Sequence, residues 1–241
     1  MYEPRAYRKN LLSSDLIPFE IRVKDTDFYV LSKKDNREKI RDLIIFYRTQ
    51  IENYIRKEPF FKVTFKPVET TKDAPHIIRS MAESSRMVNV GPMAAIAGAV
   101  AEFVGKEIVR QEKSDVIIEN GGDLFLFTTK ERKVGILTKN KFFKDKLYIK
   151  VLPHDTPLGI CTSSGKIGHS ISLGKSDTVT IVSASVTLAD ALATAACNLI
   201  KGPQDIQKAL TFIKSVPMIK GAVIICDNKI GACGNIEIAS T

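Results

Sequence analysis

Apolar residues recur at helical spacing between Asp35 and Arg56, where Ile40, Leu43, Ile44, Tyr47, Ile51, Tyr54 and Ile55 fall on one face. Asp35 followed by Glu38 predicts a capping box at the start of this helix, and Pro59 lies just past its end. The runs "DFYVLSK" before it and "FKVTFKPV" after it read as strands, and Pro75 to Met87 as a second helix. Gly91-Pro92 opens a third, "VGPMAAIAGAVAEFVGKEIVRQEK", whose glycines and alanines permit another backbone to come close. Short apolar or alternating runs follow: "DVIIEN", "LFLFTT", "KVGILT", "LYIKVL", "GICTSS", "HSISLG" and "DTVTIVSA". They predict strands that pair antiparallel. Thr187 to Ile200 reads as a helix stopped by Gly202-Pro203, and Asp205 to Lys214 as another before a terminal hairpin. Helices and strands fall in blocks, which predicts α+β with a mainly antiparallel sheet, not a doubly wound one. No repeat or low-complexity linker divides residues 1–241, so one domain is expected.

Charge changes this picture little. The net charge is +9, which suits a phosphate-rich partner. The lysines, however, alternate with apolar residues, as in "KEPFFKVTFK" and "KNKFFKDKLYIK". That is the pattern of the wet side of half-buried strands, and no nucleic-acid-binding motif is present. The first residues carry no apolar run of the kind a signal peptide needs. The longest apolar stretch, Val90 to Val104, is broken by Pro92 and Glu102 and falls short of the ~20 residues of a bilayer span. A soluble cytoplasmic protein with no nucleic-acid or membrane partner is expected. Cys161, Cys197, Cys226 and Cys233 show no metal-finger spacing and read as buried thiols. Cys226 and Cys233 flank the turn "DNKIG", where facing positions across a hairpin are conceivable. His76, His154 and His169 form no metal-ligand spacing.

Three polar clusters interrupt the apolar elements. Asn120-Gly121-Gly122-Asp123 reads as a two-glycine hairpin turn, or as a turn whose backbone N–H groups reach a phosphate. Thr162-Ser163-Ser164-Gly165, with Lys166 and His169 close behind, reads as a plain hydroxyl-rich loop or as an anion-holding one. It lacks the G-x-S-x-G elbow of a serine hydrolase. In "LADALATAACN", Thr187-Leu-Ala-Asp190 matches a capping box, and spacing alone favours that role. Asp190 and Thr194 also share one helix face, where two hard oxygens suit Mg2+.

Taken in order, "ENGGD", "CTSSG" and "ADALATAA" resemble the site motifs of the ApbE family of FAD:protein FMN transferases, and closest is a sister family of ApbE-like proteins carrying "TSSG…GHS" and "ADA…TA". The earlier "GPMAAIAGAVAEF" looks like that family's glycine-alanine helix, and the stretch from Val90 to Ile200 is covered. The resemblance implies an ApbE-like (T-fold-like) domain binding FAD with Mg2+. It assigns the metal to Asp190, Thr194 and a carbonyl near Gly91. Asn120, Gly121, Gly122, Asp123, Thr162, Ser163, Ser164 and Gly165 would line the flavin-nucleotide cleft. His169 and Ser163 are the candidates for catalysis, and a partner protein's threonine or serine would accept the FMN. The family's Asp-Pro segment is absent, Gly168 to Ser172 standing in its place. Flavin or phosphometabolite binding without turnover therefore stays open, as does an enzyme on another small molecule using His169 or Cys161. A homodimer is compatible with the sequence.

Overall fold

Alternation of apolar side chains in "IPFEIRV" and "TDFYVLS" gives β1 (Ile17–Val23) and β2 (Thr26–Ser32), joined by a tight turn in which Lys24 takes a φ of 54°. The computed structural model describes residue 8 and residues 15–138, 140–165 and 174–240. β3 (Val116–Asn120) and β4 (Asp123–Phe127) follow after the first four helices. They are joined by Gly121 and Gly122 at φ 70° and 107°, a turn in which both central residues need the left-handed region. The remaining strands are β5 (Arg132–Gly135), β6 (Leu147–Val151), β7 (Leu158–Ser163), β8 (Thr178–Ser183), β9 (Ile219–Cys226), β10 (Lys229–Gly234) and β11 (Glu237–Ser240). Eight of them form one sheet in the order β1-β2-β3-β4-β7-β8-β9-β10, and three form a second, β11-β6-β5. Every described pairing is antiparallel.

The helices are α1 (Arg37–Lys57), α2 (Phe60–Val63), α3 (His76–Met87), α4 (Ile96–Glu112), α5 (Val186–Leu199) and α6 (Ile206–Ser215). They share a core with one face of the large sheet, through Phe28, Val30, Ile118, Phe125, Cys161, Ile181 and Ile224. The opposite face packs Leu31, Ile117, Leu126, Ile160, Val182, Val223 and Ile225 against Ile149 and Val151 of the small sheet. Burial on both faces explains why β8 and β9 read as continuous apolar runs. The α+β class and mainly antiparallel sheet predicted from the sequence are therefore what the chain adopts. Among the described residues, no single helix is long and apolar enough to cross a membrane.

Several local expectations need correction. "FKVTFKPV" is no strand: Pro59 at φ −61° starts the short α2, and the amides of Lys62 and Thr64 bond locally to the Pro59 and Phe60 carbonyls. A strand reading fails where backbone donors are satisfied within the segment itself. The capping box at Asp35 is absent, because the Asp35 carboxylate accepts from the Arg37 amide two residues on and the helix begins there. Cys226 and Cys233 do not face each other, since Cys226 lies opposite Lys229 and Cys233 opposite Ala222; all four cysteines are free and buried. β1 is a further strand, marked in the sequence by the alternation of "IPFEIRV". "HSISLG", apart from Gly174, lies outside the described residues.

Small residues let α4 and α5 touch. A Cβ on Gly98 would sit 2.6 Å from the Val186 carbonyl oxygen and 2.7 Å from the Asp190 Cβ. Gly98→Ala is therefore expected to force the helices apart and to cost about 1–3 kcal/mol in urea denaturation. Gly135→Ala, with nothing within 4 Å of the new methyl, is the control and should stay within about 0.5 kcal/mol.

Candidate functional site

α4 and α5 exchange acids across their contact. The first-turn amides of α4 have no side-chain cap at Ala95; instead the Gly98 amide donates to Asp190 Oδ2 at 2.8 Å, and the Ala97 amide also bonds this carboxylate. In the other direction, Glu102 Oε2 accepts the Thr187 amide at 2.7 Å, the Thr187 hydroxyl at 2.7 Å and the Ser185 hydroxyl at 3.2 Å. Each helix thus supplies an anion to the partly positive N-terminus of the other. The capping box expected at Thr187 is overturned. Ser185 caps α5, its Oγ accepting from the Leu188 amide, and Thr187 lies inside the first turn. Asp190 caps α4, 92 residues away.

The β3–β4 turn reaches the same place. Asn120 Nδ2 donates to the Ala97 carbonyl at 3.0 Å, so the turn is tied to the start of α4. Asp123 lies opposite Cys161 in the β4–β7 register, on the helix side of the sheet with Phe125 and close enough to Asp190 for their charges to repel. The Gly122 carbonyl accepts from the Thr162 amide at 3.2 Å. The Gly122 amide is already taken by Glu119 Oε1 at 2.8 Å. It therefore does not offer itself to a phosphate.

Alternation along β7 sorts the hydroxyls. Thr162 points to the other face and bonds the Thr180 hydroxyl at 3.0 Å. Ser163 shares the helix face with Cys161, and its buried Oγ has no hydrogen-bond partner among the described residues. Ser164 and Gly165 are half-buried, and the Gly165 amide donates to the Ser176 carbonyl. Thr194 is half-buried one turn beyond Asp190 on α5, with Cys197 below it bonded to the Ser176 hydroxyl at 3.1 Å. Gly91 precedes the turn Pro92–Ala95, its carbonyl accepts the Ala94 amide at 3.1 Å, and it abuts the Thr64 backbone. No described hydrogen bond joins it to Asp190. His169 lies outside the described residues.

A family model described as "AbpE bacteria" matches residues 9–237. The chain belongs to that family. The UPF0280 protein of Methanocaldococcus jannaschii is 35% identical over 230 residues, 92% of each chain. That of Archaeoglobus fulgidus is 34% identical over 223 residues, 90% of this chain and 92% of the relative. Among solved structures, the Pseudomonas stutzeri flavinyl transferase ApbE, apo form, superposes with a TM-score of 0.60 at 13% identity over 94% of each chain. The ApbE protein of Thermotoga maritima gives 0.57 at 12% identity, over 93% of this chain and 97% of its own. At such identities the likeness is one of fold, and it bears out the ApbE-like architecture that the motifs implied.

In this AbpE-family chain the electrostatics centre on two acids. Burial, and then the charge of Asp190, push the Asp123 carboxyl well above the usual carboxylate range. Burial also pushes Asp190, a half-buried residue, up to about 7 although the Gly98 and Ala97 amides pull the other way. Among the described residues no lysine, arginine or histidine pairs with either acid, in contrast to Glu102, which Lys106 joins. Burial first, then Asp123 and Asp190, push the Cys161 thiol well up; it stays protonated and donates to the Val186 carbonyl at 3.4 Å, which argues against a nucleophilic role. Glu102 and the Gly98 amide were missed by sequence reasoning. The signal for Glu102 was present, as the one charge inside the apolar run Val90 to Val104.

Both acids hold their protons above the value they have in an unfolded chain, so the folded state binds more protons between about pH 4 and pH 7, and stability falls as pH rises through that window. In chelator-treated protein the thermal midpoint is expected to drop between about pH 4 and pH 7, and Asp190→Asn to flatten the drop. Differential scanning calorimetry of both proteins measures it; parallel curves would remove Asp190 from this account.

Proposed function

We propose that this chain binds FAD with Mg2+ where α4, the Asn120–Asp123 turn, the end of β7 and α5 meet, and that it transfers FMN from FAD to a threonine or serine of a partner protein. The observation that carries this reading is the pair Asp123 and Asp190: two desolvated carboxylates side by side with no cationic side chain among the described residues to balance them. Groups of that kind are kept in proteins when they serve a cation or a reaction. Support also comes from the fold it shares with proteins described as flavinyl and flavin transferases.

The residues fit a hard divalent ion in a limited way. Among the described residues no three His, Cys, Asp or Glu gather into a metal cluster. Asp190, Asp123 and the Thr194 hydroxyl offer oxygen only, which suits Mg2+, an ion that keeps waters and takes phosphate oxygens. Bound there, it would neutralise the pyrophosphate and the charge spread over the transferring phosphoryl oxygens. The chain's own groups would do the rest. Ser163 Oγ, buried and unpartnered, is a donor available to a ligand oxygen. The Gly121 amide would orient the nucleotide. In the transfer, the acceptor hydroxyl oxygen bonds the phosphorus nearer the flavin, the pyrophosphate bond breaks, and AMP leaves with the electron pair. His169 is the candidate to take the hydroxyl proton.

Titrating FAD against protein with excess Mg2+ by fluorescence should give a saturable change at micromolar protein. Absence of saturation would reject the flavin reading and leave the fold untouched. Asp190→Asn keeps an oxygen for the Gly98 amide, so its stability loss should stay near 1 kcal/mol. The same variant should abolish the Mg2+ dependence of binding, and Thr194→Val should weaken it. Mg2+ dependence unchanged in both would return Asp190 to a purely structural role as the cap of α4.

A further inference from the structure

Beneath the candidate turn, on the face of the sheet away from the helices, lies a buried charged cluster that the proposed chemistry does not use. Arg8 Nε bonds Glu119 Oε2 at 2.7 Å, its Nη1 bonds Asp27 Oδ1 at 2.9 Å, and its Nη2 bonds the Asp27 carbonyl at 2.6 Å. The side chains of Arg8, Glu119 and Asp27 are 5%, 1% and 10% exposed. A longer contact reaches Glu20 Oε1 at 3.4 Å. Burying three charges is costly unless each is held by its partners, so an arrangement like this is rigid when complete and fails when one member is lost.

The second oxygen of Glu119 leads straight to the turn. Oε1 accepts the Gly122 amide at 2.8 Å, and the Gly122 carbonyl accepts the Thr162 amide at 3.2 Å. A continuous path of hydrogen bonds therefore runs from Arg8 through Glu119 and the Gly122 peptide to the hydroxyl-rich end of β7. From the helix side, Asn120 ties the same turn to Ala97. The turn that carries Asp123 is thus gripped from both faces of the sheet.

We infer that Arg8 is a positioning residue for the candidate site: it fixes the Glu119 carboxylate, which in turn fixes the Gly122 peptide and so sets where Gly121 and Asp123 stand. Its effect on a ligand rests on the flavin reading above, but its effect on the turn does not. Arg8→Lys retains the charge while losing the fork that spans Glu119 and Asp27 at once. Arg8→Ala removes the guanidinium that the Glu119 and Asp27 carboxylates share, and it is the variant at risk of failing to fold.

Amide hydrogen exchange by NMR separates the two effects. In Arg8→Lys the Gly122 amide should exchange about tenfold faster, while the Gly98 amide, bonded to Asp190 on the other face, keeps its rate. FAD affinity in excess Mg2+ should fall by a similar factor. Equal acceleration of Gly122 and Gly98, or no change at Gly122, would overturn the inference and leave Arg8 a general stabiliser. If the wild type fails to bind FAD, the flavin reading falls, and the exchange ratio still decides whether Arg8 holds the turn.

Discussion

Two buried carboxylates passed between two helices organise this protein. α4 begins without a capping side chain, and α5 has its second amide directed at a residue of α4. Asp190 and Glu102 complete each other's helix in trans, and only a glycine at position 98 lets the backbones come near enough for that exchange. The arrangement is reciprocal: neither helix end is satisfied unless the other is in place. It is also asymmetric in charge. Lys106 and three donors balance Glu102, whereas Asp190 receives amides alone and lies beside a second acid, Asp123. The first acid is a structural tie, and the second keeps an unspent demand for positive charge.

The sheet brings that demand to a definite place. Strand alternation assigns Asn120, Asp123, Cys161 and Ser163 to the helix side, and sends Glu119 and Thr162 to the other. The two-glycine turn bends β3 into β4 at the height of the α4 start, so Asn120 reaches Ala97 while Asp123 comes under Asp190. Nothing in this construction is loose. Both polar groups of Gly122 are bonded, and among the described residues the Ser163 Oγ on the helix side is buried without a partner.

The cost of such a centre appears as proton uptake. Desolvation raises both acids above their usual range, so the isolated fold is less stable where they ionise. Cys161, beside them, shows the same field acting on a thiol, which it keeps protonated and inert.

By itself, the sequence determined most of the helices and strands and their order. Helical spacing in α1, apolar runs in β3 to β9 and the paired glycines at 121 and 122 are local patterns, and periodicity within a segment reports which face is buried. It also showed the three polar clusters and, through their motifs, the family resemblance. Local signals misled where a residue had two partners within reach on paper. Thr187 and Asp190 fit a capping box, yet Ser185 holds the cap and Asp190 turns to Gly98; "FKVTFKPV" alternates like a strand, yet its amides bond within a helical turn. The roles of Glu102, Glu119 and Arg8 were hidden for the same reason. Each acts on backbone groups or charges that can lie more than 80 residues away, as from Glu102 to Thr187. Spacing carries no information about such a contact. Only the packing of α4 on α5, and of both on the sheet, decided which amide each carboxylate meets, because a buried charge settles on the donors that folding brings to it.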